Sequence, residues 1–452
     1  MSTFRVFVVS IMVMGLIVMS TLTAHADETS DIILQLLIKK GVITEKEIAD
    51  LRAEIKKKKE ENPAAAESPA EKTIKKEEAL NAYWKDGLSF RTEDKKFDLK
   101  VGGRIFTDFM WLQEDSAMNG RFGEETNTAE LRDARIYLAG SIYEDYIYKF
   151  EVDFSGNSSP VIKDMYAGLK KIPYLGTFRA GNYKQPISME ELTSSASLTF
   201  MEKALPNVFI PAYRLGFQLN NTLFSERLTW AASLFNESTN DLSTSNEWSF
   251  ASRFTGLPWY EDDGAKLLHL GIGYSLRNPE QTLQYQQRPE AHMAPYFANT
   301  GSFAARNASI VDYEAAAVYG PLFLQGEFMQ DFVNRTNISG TSYFSGCYAQ
   351  VSYFLTGEHR QYDKARGIFS MLRPHKNFSL SDRTFGAWEI AARYSYLDLK
   401  DDGINGGALN DATLGLNWYL NPNMRIMWNY IHSYRNGVGD ADILMTRFQV
   451  DY

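Results

Sequence analysis

One cysteine, Cys347, stands among 452 residues, which excludes any fold stapled by disulfides within the chain. Its small side chain reads as packing material. Histidine is almost as scarce. Of the six, His25 falls in the leader, and His269, His292, His359, His375 and His432 sit in neither an HExxH pattern nor a nucleophile elbow. Catalysis therefore has no motif to stand on, and no metal or other cofactor is expected. Past residue 26 no apolar run approaches the roughly 18–20 residues of a membrane helix. That excludes a helical membrane protein. It does not exclude a barrel, whose strands place apolar residues only at every second position.

What the sequence does have is aromatic residues, 13% of the chain with 28 Phe and 25 Tyr. It opens on a basic Met1–Arg5 segment, an apolar run and the small-x-small box Ala24-His25-Ala26. Residues 1–26 thus read as a secretory signal peptide. Residues 27–62 read as a short helical periplasmic segment, in which Thr44-Glu45-Lys46-Glu47 is a capping box, and a short coiled coil is one form it can take. The Pro/Ala/Glu/Lys stretch 63–87 reads as a linker.

From about residue 97 the period is two, and residues 88–452 read as the barrel domain. In FDLKVGGRIFTDFMW, Leu99, Val101, Ile105, Phe109 and Trp111 fall on one side, with Lys100, Arg104 and Asp108 on the other. DYIYKFEVDF, YRLGFQL, ERLTWAASLF, DATLGLNWYL and NMRIMWNYIHSY repeat the pattern. About sixteen such segments are countable, the even number a bacterial outer-membrane barrel requires. Aromatic strand ends (Trp111, Tyr143, Trp248, Tyr274, Tyr353, Tyr396, Trp418) suit two interfacial girdles, and the last strand closes on Tyr452. The expected fold is all-β, a 16-stranded antiparallel transmembrane β-barrel in the outer membrane, contacting its lipid, with the N-terminal segment in the periplasm. Even-to-odd connections are then short and periplasmic, except the long one after the twelfth strand, TGEHRQYDKARGIFSMLRPHKNFSLSDR.

Between strands five and six lies QPISMEELTSSASLTFMEKALPNVF, residues 185–209, too apolar for a loop facing water. Packed against the inner wall, it narrows the lumen and brings Glu190, Glu191, Ser194, Ser195, Phe200, Glu202 and Lys203 to a constriction. EELTSS, LTFMEKALPN and YRLGFQLNN, with FDLKVGGRIFTD, LRDARIYLAGSIYEDYIYKFEVDF and GAWEIAARYSYLDL, resemble the phosphate-selective porins O and P. The resemblance implies a homotrimeric channel with the third loop folded inward and residues 355–383 partly within the lumen. It also implies that Arg and Lys draw small anionic solutes such as phosphate.

The candidates on the polar face are Lys100, Arg104, Arg135, Lys149, Arg179, Arg214, Arg253, Arg393, Arg425 and Arg447, with Lys184 and Lys203 at the third loop. Arg360, Lys364, Arg366, Arg373 and Lys376 belong to the long periplasmic connection. Guanidinium suits phosphate because it presents paired donors along with its charge. Against this, Asp98, Asp108, Asp133, Glu151, Asp153, Asp164, Glu314, Glu327 and Glu389 share the same face, so pairing across the wall competes with solute binding, residue by residue. Residues 97–452 hold 31 Lys+Arg against 40 Asp+Glu, so the whole net charge of -9 falls there. Ala196 also stands where the resemblance implies a basic residue. A general or cation-preferring porin is therefore the alternative. A tether to the cell wall through the N-terminal segment is the rival of another class. Nothing points to nucleic acid.

Overall fold

The computed structural model describes residues 79–452 apart from 86, 124–126, 156–158, 238–245, 337–339 and 402. The signal peptide, the helical segment and most of the linker lie outside the described residues. The barrel strands are β1 (Phe97–Glu114), β2 (Thr128–Ile142), β3 (Tyr146–Asp153), β4 (Val161–Ile172), β5 (Gly176–Lys184) and β6 (Tyr213–Leu223). They continue as β7 (Leu228–Asn236), β8 (Trp248–Glu261), β9 (Lys266–Arg277), β10 (Phe303–Tyr319) and β11 (Leu322–Arg335). The last five are β12 (Thr341–Phe354), β13 (Ala387–Asp401), β14 (Ile404–Asn421), β15 (Met424–Arg435) and β16 (Gly439–Asp451).

Each strand pairs antiparallel with its sequence neighbour, and β16 returns to β1 in register from Ala441↔Glu114 to Asp451↔Arg104. Closure leaves no edge, so the backbone groups of the wall are satisfied within it. Tyr452 completes the seam, exchanging backbone hydrogen bonds with Gly103 of 2.7 and 2.9 Å. Crowding explains the adjacent glycine: a Cβ at Gly102 would lie 2.4 Å from both the Tyr137 ring and the Tyr452 carbonyl. Below the seam β1 keeps β2 on one side but has no barrel strand on the other. There a hairpin, Leu80–Trp84 with Leu88–Thr92, pairs with it from Leu88↔Val101 to Arg91↔Asp98. Its first strand falls inside the stretch read as linker.

Period two sorts the faces as expected. Ile105, Phe109, Trp111, Ile136, Leu138, Phe217, Phe254, Tyr394 and Leu414 are exposed on the outer surface. Trp388 and Trp418 stack at 5.0 Å near one rim, the kind of aromatic pair that suits a lipid interface. Cys347 sits half-buried on this surface, in register with Phe328 and Tyr396.

The inner face is less uniform than a polar/apolar alternation implies. Around β10–β13 it carries Ile310, Met329, Phe344 and Leu397, all nearly or fully buried. Two connections from one rim fold in to cover them: 185–212 between β5 and β6, and 278–302 between β9 and β10. Helix α1 (Ser116–Phe122), capped by Asp115 through the amides of Ala117 and Met118 at 2.9 and 2.8 Å, adds Met118 to this cluster. From the opposite rim the long connection between β12 and β13 inserts Ile368, Phe369 and Leu372.

Candidate constriction and its charged lining

A loop inside a barrel has no ladder to pair with, so each of its carbonyls needs a donor from the wall. The 185–212 loop finds them in series. Gln449 donates to Ala196 O at 3.0 Å, Arg360 to Ser197 O at 3.0 Å and Arg425 to Leu198 O at 2.7 Å. Asn417 donates to Thr199 O at 2.8 Å, Arg447 to Met201 O at 2.6 Å and Arg393 to Glu202 O at 3.0 Å. Its first turn, α2 (Met189–Leu192), is held by one wall carboxylate. Glu327 accepts from Ser188 Oγ and from the Glu190 amide, both at 2.7 Å. Ile187, Met189, Leu205 and Phe209 are completely buried beneath it.

This bears directly on the basic candidates. Arg393 and Arg425, together with Arg447, are built into the loop's support. Arg393 also lies 4.3 Å from the centre of the Phe200 ring and pairs with Glu290 at 2.5 Å and Glu190 at 3.3 Å. Arg253 is clamped by Glu314 through two bonds of 2.7 Å. On the wall, Arg135 meets Asp133, Glu151 and Asp153 at 2.8, 3.4 and 2.9 Å. Lys149 sits between Glu151 and Asp164, at 2.6 Å from each, and its ammonium also faces Tyr137. Lys100 faces the same Tyr137 ring. Arg104 donates to Ser195 Oγ at 2.7 Å, and Ser195 donates to Asp133 at 3.1 Å. Arg214 stands 3.9 Å from Glu237. Arg179 has a neutral partner, Gln218, at 2.8 Å, as Arg425 has in Gln449. Ser194 opens the 3-10 turn that follows α2.

The loop's own charges are paired as well. Lys203 and Lys184 both bond Glu191. Although burial opposes ionisation, these two ammonium groups hold the Glu191 carboxyl down at about 2. Glu202 receives both forks of Arg132, at 2.8 and 2.9 Å, and is likewise held low despite burial. Glu190 goes the other way. Burial outweighs Arg393 and pushes its carboxyl up to about 7.

Arg132 and Lys163 were missing from the sequence-derived candidates. Both sit at β-bulges, where the register slips between Phe106 and Thr107 and between Phe150 and Val152. An extra residue shifts the face that strict alternation assigns. The inward fold of 278–302 was missed too, because Leu283, Tyr285, Ala291 and Phe297 follow no period.

Two cavities flank the loop. The first, about 390 Å³, is lined by seven Lys/Arg (Arg132, Arg135, Lys163, Lys184, Lys203, Arg288 and Arg447) against four carboxylates, Asp133, Glu191, Glu202 and Glu290. The second, about 400 Å³, lies among β3–β8, the loop and the β12–β13 connection. Its lining holds Lys170, Arg179, Arg253 and Arg366 and, among the described residues, no carboxylate.

Known proteins share this architecture. The solved structure of OmpT, an outer membrane protein of Vibrio cholerae, matches with a TM-score of 0.50 at 10% identity, covering 79% of this chain and 98% of that one. An anion-selective porin from Comamonas acidovorans matches with a TM-score of 0.50 at 13% identity, covering 79% and 100%. In sequence, Porin O of Pseudomonas aeruginosa is 26% identical over 422 residues, 81% of this chain and 91% of its own length. An uncharacterized protein of Caulobacter vibrioides is 28% identical over 367 residues, 77% and 70% of the respective lengths. The family described as phosphate-selective porin O and P matches residues 99–452, from the start of the first barrel strand through the inward loop to Tyr452. A closed sixteen-stranded wall narrowed by that loop is accordingly an outer-membrane porin, and the chain belongs to the phosphate-selective porin O and P family.

Proposed function

We propose that the protein is a passive diffusion channel preferring small hydrophilic anions, phosphate among them, and that it works as a homotrimer with residues 355–386 at the periplasmic mouth. The observation that carries this reading is the sign of the lining. Both cavities beside the loop hold more cations than carboxylates, although the chain as a whole is at -9. Local potential governs which ion enters a narrow, low-dielectric passage, and the total charge does not. The names of Porin O's family and of the Comamonas porin agree with that sign.

Mechanistically, the wall and loop divide the work. Arg393, Arg425, Arg447 and Arg360 fix the loop and hence the width. Lys163, Arg288, Lys170 and Arg179 supply field at the passage. Lys203, Lys184 and Arg132 are half-neutralised by Glu191 and Glu202, which weakens their hold on an anion enough to let it leave.

The test is the single-channel reversal potential in a KCl gradient, followed by phosphate titration. A potential of anion-selective sign, with chloride current reduced by phosphate, is expected. A cation-selective sign would show that the acidic excess rules the pore. Trimer formation is read independently from the mass of the detergent-solubilised protein.

A further inference from the structure

The second cavity is the wrong shape for inorganic phosphate alone. On its wall side Arg179 donates to Gln218 Oε1 at 2.8 Å, and Gln218 Nε2 donates to Asn220 Oδ1 at 3.3 Å. The guanidinium is further fixed by two rings, 4.2 Å from the centre of Tyr183 and 5.3 Å from that of Tyr166. Its Nε finds no acceptor among the described residues. Among the described residues the side chains of Arg179, Lys170 and Arg366 form no ion pair with a carboxylate, although the Arg366 amide donates to Asp363 Oδ1 at 3.2 Å, whereas Arg253 is spoken for by Glu314. Its apolar lining includes Pro186 and Leu192 from the inward loop and Ala365 and Ile368 from the β12–β13 connection, which also brings Arg366.

An inorganic phosphate is polar all round and gains nothing from that apolar lining. The cavity, at about 400 Å³, falls in the size range of small-molecule sites, and a few convergent polar groups facing an apolar surface are their usual make-up. Resting on the anion-channel reading above, we propose that this cavity is a binding site for organic phosphate monoesters with a short hydroxylated carbon body. The phosphate group lies against Arg179 and Lys170. Hydroxyls meet the Gln218 and Asn220 amides, and the carbon skeleton lies along Leu192 and Pro186.

The experiment titrates inorganic phosphate and glycerol 3-phosphate separately against the KCl current of single channels of the full-length protein. Glycerol 3-phosphate is expected to block at a several-fold lower concentration. Leu192→Asn and, separately, Asn220→Ala should weaken its block by about tenfold while moving inorganic phosphate block far less, since each removes contacts to the organic body and neither touches Arg179. Arg179→Gln should weaken both. Block by inorganic phosphate with no preference for the ester, or variants that shift both anions equally, would overturn this site and leave the anion channel standing. A cation-selective reversal potential would bring down both.

Discussion

Arg447 and Asp108 face each other in register across the β16–β1 seam, joined by two bonds of 2.7 Å, Nε to Oδ1 and Nη2 to Oδ2. The same guanidinium reaches Met201 O at 2.6 Å and Glu202 at 2.9 Å. One side chain therefore joins the closure of the barrel to the position of the loop.

Arg447→Ala leaves Asp108 fully buried with its charge unpaired, a loss of about 3–5 kcal/mol. Thermal unfolding in detergent should move down accordingly, and single-channel conductance should rise as the loop slackens. Replacing both partners, Asp108→Leu with Arg447→Met, separates the two roles. Stability should largely return, since an apolar pair of similar volume is tolerated, while the raised conductance stays. Conductance that reverts along with stability would contradict the linkage.

A second anchor comes from the far end of the barrel. Arg360, in the β12–β13 connection, donates to Ser197 O at 3.0 Å and to Thr199 Oγ1 at 2.5 Å while pairing with Glu389 at 3.1 Å. Arg360→Ala should free the middle of the loop without touching its two ends, which Glu327 holds through the Glu190 amide and Ser395 through the Leu205 amide. The expected result is greater open-channel current noise with little change in ion selectivity. Quiet traces of unchanged amplitude would mean that Asn417 and Arg425 suffice.

How far the sequence could be read follows from which signals repeat. A strand alternates over many residues, so β1, β3 and β14 were legible, as was the parity that puts 185–212 and 355–386 at opposite rims. Leu198, Phe200 and Met201 announced a loop that needed cover. Pairing was not legible. Arg393, Arg425 and Arg179 look alike in a list of inward cations, yet two serve the loop's carbonyls and the third faces a neutral amide. Only contacts between segments distant in sequence, such as Arg393 with Glu290 of the 278–302 connection, separate them. Bulges hid Arg132 and Lys163, since one inserted residue reverses the face that alternation assigns.

Glu190 is expected to give the channel a pH dependence. Its carboxyl, pushed up to about 7 by burial, is neutral below that value and ionised above it. The folded form thus binds more protons than the free carboxyl between about 4.5 and 7, and the stability Glu190 contributes declines as pH rises through that window. Glu191 behaves oppositely: its contribution is present above about 4.5 and lost as pH falls toward about 2. Anion preference should therefore increase as pH falls through about 7, when one negative charge beside Glu290, Arg393 and Lys203 disappears. Glu190→Gln should flatten that step. An unaltered pH profile in the variant would assign the titration to another group.

Lys163 offers the cleanest reversal of charge. It lines the first cavity, its nearest carboxylate is Asp153 at 3.8 Å, and its side chain is one-fifth exposed. It also lies over the Tyr213 ring and supports none of the loop's carbonyls. Lys163→Glu changes the local charge by two units without removing a loop anchor. At an effective dielectric constant of about 20 and the ~10 Å screening length of 0.1 M salt, each unit acts on a passing ion some 15 Å away with roughly 0.25 kcal/mol, so the two units shift chloride and potassium by about 0.5 kcal/mol each in opposite directions. The permeability ratio of chloride to potassium should then fall several-fold, while conductance and thermal stability stay near those of the unmodified channel. Salt should screen the effect, so it should shrink as KCl rises toward about 1 M, where the screening length is near 3 Å. A ratio that does not move at low salt would place the permeating ions away from this wall and remove the first cavity from the conduction path.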